Sequence, residues 1–181
     1  GSGIAEVAAK AGFEVVLRSR SQASADGMVV GLTKSLDRQV EKGRLEAAER
    51  DAVLARVTAV SDLNALADCD LVIESILEDL GAKKQLFKEL DSIVKAGAIL
   101  ATNTSSLMLE PLASAMAAPG RLVGLHFFNP AQVMRLIEIV RTPLTDAPTL
   151  QAAQALAARI GKTGIVVGVC DGFVGNRLMI V

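Results

Sequence analysis

The strongest constraint on this chain is an alternation of two hydrophobic periods. Continuously apolar runs predict buried strands at Phe13–Leu17, Leu71–Glu74, Ala98–Thr102, Leu122–Leu125, Leu136–Val140 and Ile165–Val169. Between them apolar residues recur at helical spacing. Gly3–Ala11 is closed by Gly12, and Asp26–Lys42 carries Met28, Leu32, Leu36 and Val40. Further helices are expected at Leu45–Val57, Leu80–Val94, Glu110–Met116 and Thr149–Ile160. A strand apolar along its whole length has both faces covered, and the alternating helices supply the cover. The expected fold is α/β, a mostly parallel sheet with helices on both faces.

Composition agrees and removes other classes. Of 181 residues 51% are hydrophobic, enough for a sizeable core in one domain of ordinary size. Net charge is −1 with Lys and Arg scattered, so neither nucleic acid nor an anionic membrane is an expected partner. No apolar run approaches the roughly 20 residues of a membrane span, and no signal peptide opens the chain. Cys69 and Cys170 have neither metal-site nor disulfide spacing, which points to a reducing, cytoplasmic setting and no metal.

Gly1-Ser2-Gly3 opens directly into a helix. A dinucleotide-binding fold places a glycine-rich turn between its first strand and first helix. There backbone N–H groups and the helix N-terminus hold the pyrophosphate. On that reading the chain begins inside the fingerprint, with Gly1 as its last glycine. The same three residues also read as a cloning scar or a flexible end. The strand Phe13–Leu17 ends where such folds read the adenosine ribose, normally with an Asp or Glu on the 2′-hydroxyl. This chain has Arg18-Ser19-Arg20 instead. A carboxylate would repel a 2′-phosphate, whereas Ser19 and Arg20 can bond to one. The expected cofactor is NAD or NADP, with NADP favoured. The alternative is that Arg18 and Arg20 are solvated loop charges.

The one histidine, His126, directly follows an apolar strand, at the end where α/β sheets bind ligands. Glu138 interrupts the apolar run Leu136-Ile137-Glu138-Ile139-Val140. A carboxylate in a buried strand is costly unless paired, and a nearby imidazole would supply the partner. The pair would then fix the ring's tautomer and stabilise an imidazolium, as a general acid/base requires. The plainer readings are a surface-strand Glu and a satisfied core His. Asn103-Thr104-Ser105-Ser106 follows another buried strand and offers groups for a substrate hydroxyl and the nicotinamide end of a cofactor, although such residues are also ordinary caps and turns. Glu74 and Glu78 flank a further strand end, with Lys83 in the next helix, and read on their own as capping and a surface charge pair.

Five stretches in order carry a resemblance: Gly1-Ser2-Gly3-Ile4-Ala5, Leu71-Val72-Ile73-Glu74-Ser75, Asn103-Thr104-Ser105-Ser106, Gly124-Leu125-His126-Phe127-Phe128-Asn129-Pro130 and Gly172-Phe173-Val174-Gly175-Asn176-Arg177-Leu178. The chain resembles the 3-hydroxyacyl-CoA dehydrogenase family. The resemblance implies a Rossmann-like dinucleotide-binding domain over 1–170, with 171–181 starting the linker helix to a C-terminal helical domain. It implies interconversion of an L-3-hydroxyacyl-CoA, such as 3-hydroxybutyryl-CoA, and the 3-ketoacyl-CoA. His126 would take the hydroxyl proton while hydride passes to the nicotinamide, and Glu138 would orient the ring. Ser105 and Asn176 would hold the reacting oxygen and the histidine geometry. Glu78, Lys83, Asn129 and Ser105 would lie against the nicotinamide ribose. Ser35 and Lys42, on one helix face, would contact the CoA part, Lys42 a phosphate. A homodimer formed through the helical domain is implied as well.

Three departures accompany the resemblance. Ser19 stands where the family has an acidic residue, and Gly175 where it often has Val. The family's first strand, central in its sheet, most of its glycine turn and its helical domain have no counterpart in these residues. Two neighbouring readings remain: a 3-hydroxyadipyl-CoA dehydrogenase of aromatic catabolism, and a non-catalytic dinucleotide-binding scaffold like the lens crystallins related to this family. Retention of His126, Glu138 and Ser105 together argues against a scaffold.

Overall fold

The structure is a computed structural model and describes residues 1–168 and 173–175. Cys170 and Asn176 lie outside the described residues. The chain divides into two compact units, Gly1–Ala65 with Asn129–Val133, and Leu66–Phe128 with Met134–Val181.

The first unit runs α1 (Ser2–Lys10), β1 (Val15–Arg18), α2 (Gln22–Glu41), α3 (Ala47–Ala55) and β2 (Val57–Val60). Ser21 caps α2 by accepting the Ser24 N–H at 3.2 Å, and left-handed Gly43 follows its C-terminal cap. Leu32 and Leu36, one turn apart on α2, are buried with Ala9 of α1 and Val53 of α3. β2 was not expected. The predicted helix Leu45–Val57 ends two residues sooner, because Val57–Val60 pairs in parallel with Val15–Arg18. A backbone ladder thus decides a stretch that is too short to show a period of its own.

The second unit runs β3 (Leu71–Glu74), α4 (Leu80–Ile93), β4 (Ile99–Thr102), α5 (Glu110–Ala113), β5 (Leu122–Phe127), β6 (Leu136–Arg141), α6 (Ala147–Arg159) and β7 (Thr163–Gly168). Its strands lie in the order β3-β4-β5-β6-β7. All neighbours are parallel except β5 and β6, which run antiparallel. All six residues of β5 are buried, which accounts for the apolar run Leu122–Leu125 that leads to His126. Gly124 fixes how closely β5 and β6 approach. A Cβ there would lie 2.7 Å from the Cβ of Val140, which cannot swing aside. The architecture is the mostly parallel, Rossmann-like α/β fold. Among the described residues no helix is long and apolar enough to cross a membrane, and no acidic, His or Cys cluster could hold a metal.

Candidate active site

The antiparallel turn-back of β6 on β5 creates the first feature of the site. In that register His126 and Glu138 are directly opposite each other, so their side chains emerge on one face of the sheet. The Nδ1 of His126 lies 2.7 Å from Glu138 Oε2. His126 is 6% exposed and Glu138 is fully buried. A carboxylate only accepts, so Nδ1 carries the proton and Nε2 is the basic nitrogen. Among the described residues Nε2 has no hydrogen-bond partner.

The other carboxylate oxygen is held as well. Glu138 Oε1 accepts the N–H groups of Val174 and Gly175, each at 2.9 Å. Phe173, which precedes them, has φ +51°. That left-handed conformation is uncommon for a bulky residue and turns successive N–H groups toward one anion. Three donors thereby offset the desolvation of a buried charge. The imidazole is flanked by Phe128 at 4.8 Å and Phe173 at 5.6 Å between ring centroids. A Cβ at Gly175 would come within 2.5 Å of Phe128 Cζ, so a larger residue there requires the Phe128 ring to shift.

The second feature gathers at the ends of β3 and β4. Lys83 and Glu74 are buried and 2.7 Å apart, and Lys83 also lies 3.2 Å from Glu78. This corrects the reading of a surface charge pair: these groups reach each other only because α4 packs its Lys83 inward. Glu74 Oε2 accepts Thr102 Oγ1 at 2.7 Å. Glu78 gathers the Asn103–Ser106 loop, accepting the Thr104 hydroxyl, the Ser105 N–H at 3.3 Å and the Ser106 hydroxyl at 3.4 Å. Burial pushes the Glu78 carboxyl up, but hydrogen bonds from Thr104 and Lys83 outweigh it and hold it below the usual range. Ser105 is exposed in that loop.

Sequence reasoning gave Asn103 no role of its own. Its N–H donates to Glu74 O at 2.9 Å, and its Oδ1 accepts the N–H of Phe127, beside His126, at 2.9 Å. It therefore ties the ends of β3, β4 and β5 together. An Asn directly after a buried strand was the available signal.

The first unit holds the remaining candidates. Gly1 caps α1, its carbonyl accepting the N–H groups of Ile4 and Ala5. At the end of β1 the Ser19 hydroxyl donates to Ser24 Oγ at 2.8 Å. Arg20 is exposed and makes no ion pair among the described residues. Arg18 is not equivalent to it, because its Nε donates to Ser61 O at 3.1 Å. Asn129 belongs to this unit and is exposed. A groove of about 540 Å³ is lined by Lys10, Lys34, Ser35, Arg38, Gln39 and Arg44, among others. Lys42 does not line it. α2 ends at Glu41 with Lys42 as its C-terminal cap, whose N–H still donates to Arg38 O at 3.2 Å, so Lys42 stays on the helix face of Ser35 seven residues earlier. Lys34, Arg38 and Arg44 make no ion pair among the described residues.

Residues 1–170 match the family model described as 3-hydroxyacyl-CoA dehydrogenase, NAD binding domain. A probable 3-hydroxybutyryl-CoA dehydrogenase of Deinococcus radiodurans is 41% identical over 179 residues, covering 99% of this chain and 64% of that protein. The 3-hydroxybutyryl-CoA dehydrogenase of Clostridioides difficile is 39% identical over 180 residues, again 99% of this chain and 64% of that protein. The chain thus spans just under two thirds of the length of these relatives. Among solved structures, (S)-3-hydroxybutyryl-CoA dehydrogenase from Ralstonia eutropha superposes with a TM-score of 0.96 at 37% identity, over 99% of this chain and 63% of that one. The 3-hydroxybutyryl-CoA dehydrogenase from Escherichia coli does so with 0.95 at 38% identity, over 98% of this chain and 38% of that one.

Proposed function

The chain belongs to the 3-hydroxyacyl-CoA dehydrogenase family, and from that premise we propose that it is the nicotinamide-dinucleotide-binding part of an enzyme interconverting an L-3-hydroxyacyl-CoA, 3-hydroxybutyryl-CoA first among them, with the 3-ketoacyl-CoA. The observation that carries the proposal is the buried His126–Glu138 pair, 2.7 Å apart. A general base needs one nitrogen oriented and the other open, and this ring has Nδ1 bound and Nε2 without a partner. In the oxidative direction His126 Nε2 takes the proton of the 3-hydroxyl as the C–H bond gives up hydride. A bound nicotinamide would supply the hydride acceptor. Glu138 keeps the tautomer and stabilises the imidazolium, as the carboxylate of a His-based triad does. In the reductive direction the same proton returns to the carbonyl oxygen.

Ser105, exposed beside the Glu78-organised loop, is assigned to the reacting oxygen, and Asn176 to the histidine geometry. Glu78 is assigned to the nicotinamide ribose. Lys83 acts through Glu78, since its ammonium is buried between two carboxylates. Asn129 is assigned to the same end of the cofactor, and Gly1 to the pyrophosphate. Ser19 and Arg20 favour NADP, with Arg18 removed from that set by Ser61. The groove beside Ser35 is assigned to the nucleotide end of CoA, its phosphates facing Lys34, Arg38, Lys42 and Arg44. The proposal extends to a homodimer.

The test is turnover of acetoacetyl-CoA by the complete gene product, followed by nicotinamide absorbance with NADH and with NADPH. Wild type should turn over and His126→Ala should lose most of the rate. An unchanged rate in that variant sinks the mechanism.

A further inference from the structure

Glu74 is a buried carboxylate with no part in the proposed chemistry. It is the last residue of β3, and three donors meet it. Oε1 accepts the Ile76 N–H at 2.6 Å and Lys83 Nζ at 2.7 Å, and Oε2 accepts Thr102 Oγ1 at 2.7 Å. These contacts belong to a closed circuit. The Thr102 hydroxyl oxygen accepts the Thr104 N–H at 3.3 Å, the Thr104 hydroxyl donates to Glu78, and Glu78 Oε2 lies 3.2 Å from Lys83 Nζ. Tying β3 to β4 does not itself require charge. Neutral partners would do it without the cost of desolvating a carboxylate and an ammonium.

The charges of this circuit do not cancel. One ammonium lies between two carboxylates, so the group carries one negative charge in excess. The side chains of Glu74 and Lys83 are enclosed, whereas that of Glu78 is 38% exposed. Lys83 also stands nearer the enclosed carboxylate than the exposed one, 2.7 Å against 3.2 Å. The excess charge is therefore presented at Glu78. With a neutral residue at position 74, Lys83 and Glu78 would form a neutral pair, and the exposed carboxylate would meet a ligand with its charge cancelled. The field of an enclosed carboxylate is screened less than it would be in water, so Glu74 is felt at the exposed end of the circuit.

We propose that Glu74 is a positioning residue that draws the Lys83 ammonium inward, leaves Glu78 an uncancelled anion, and so biases the protein toward the oxidised form of its dinucleotide. The proposal rests on the reading that assigns Glu78 to the nicotinamide ribose. The oxidised nicotinamide ring carries a positive charge and the reduced ring none, while the rest of the molecule is the same. An uncancelled carboxylate attracts the first and is indifferent to the second. A clamp that served folding alone would affect both forms alike.

The experiment measures calorimetric Kd values of NAD+ and NADH, and of NADP+ and NADPH, on the complete gene product. The readout is the ratio of oxidised to reduced Kd within each pair that binds. Glu74→Gln keeps the shape and removes the excess charge, so it should raise that ratio by about fivefold over wild type. Glu74→Gln/Lys83→Gln removes one charge of each sign and restores the excess at Glu78. Its ratio should return to within about twofold of wild type, a rescue that lost packing cannot produce. Should Glu74→Gln not fold, Glu74→Met, of similar length and equally neutral, should raise the ratio in the same direction. A ratio unmoved by the neutral variant, a ratio that the double variant fails to restore, or absence of binding by both pairs each overturn the proposal. Normal turnover of acetoacetyl-CoA with an unmoved ratio would sink the role of Glu74 alone. No turnover alongside a ratio that moves and is restored would sink the dehydrogenase reading while leaving the role of Glu74 standing.

Discussion

Replacing Glu138 by glutamine changes one oxygen into an NH2 group and almost nothing in shape. The carboxylate accepts three donors: Nδ1–H of His126 at 2.7 Å, and the N–H groups of Val174 and Gly175 at 2.9 Å each. An amide has one accepting oxygen and cannot serve both sides. If that oxygen turns to His126, its NH2 confronts two backbone donors, at about 1–3 kcal/mol for each group left unsatisfied. If it stays with the backbone, the NH2 donates to Nδ1 and the ring adopts the opposite tautomer. The second arrangement costs less and should prevail. Nε2 then carries the proton and cannot take one from a hydroxyl. A positioned general base contributes about 10²–10⁴-fold, so kcat should fall by about 10³, or about 4 kcal/mol. The thermal midpoint should move by no more than a few degrees. The assay is hydride transfer in the complete gene product at saturating 3-hydroxybutyryl-CoA, with thermal unfolding by circular dichroism alongside. A kcat within about threefold of wild type would refute the assignment of the base. A loss of rate accompanied by collapse of the fold would mean that Glu138 serves packing and not proton transfer.

Other positions give further expectations. Gly124→Ala should destabilise by about 1–3 kcal/mol, because the new Cβ would meet Val140 Cβ at 2.7 Å; a midpoint unchanged in thermal unfolding would contradict the close β5–β6 approach. Ser19→Asp combined with Arg20→Ala should raise KM for NADPH by about tenfold or more and leave KM for NADH little changed; equal effects on the two cofactors would remove Ser19 and Arg20 from 2′-phosphate recognition. Asp91 gives a pH expectation: burial pushes its carboxyl up, but Arg121 and the Ala117 N–H outweigh that and hold it below its ordinary value. A lowered folded value adds stability above the unfolded pKa of about 3.9 and loses it as pH falls through the folded pKa. The thermal midpoint should therefore drop on acidification below about pH 4, and Asp91→Asn should show a shallower drop than wild type; parallel acid limbs would count against this linkage.

Much of the fold and part of the site were legible before any coordinates. β3 lies at Leu71–Glu74 and α4 starts at Leu80, both as expected, because continuous apolarity and helical spacing are properties of neighbouring residues. The sequence also singled out His126 and Glu138 as candidate partners, since an acidic residue inside an apolar strand needs one. It did not reveal that β6 runs antiparallel to β5. Residues 128–135 carry no two-residue hairpin signature, and a continuously apolar strand reads the same in either direction. Direction is what sets the two side chains face to face, so strand pairing had to decide it. The burial of Lys83 and of Glu6 escaped the sequence for a related reason. Each is a charged residue on a helix, the ordinary sign of a solvated face, yet each is buried against partners brought in by the fold. Gln132 reaches Glu6 from 126 positions away. Local sequence sets backbone preference and hydrophobic period. Desolvation and its compensation depend on groups distant along the chain, and only the tertiary structure brings those together.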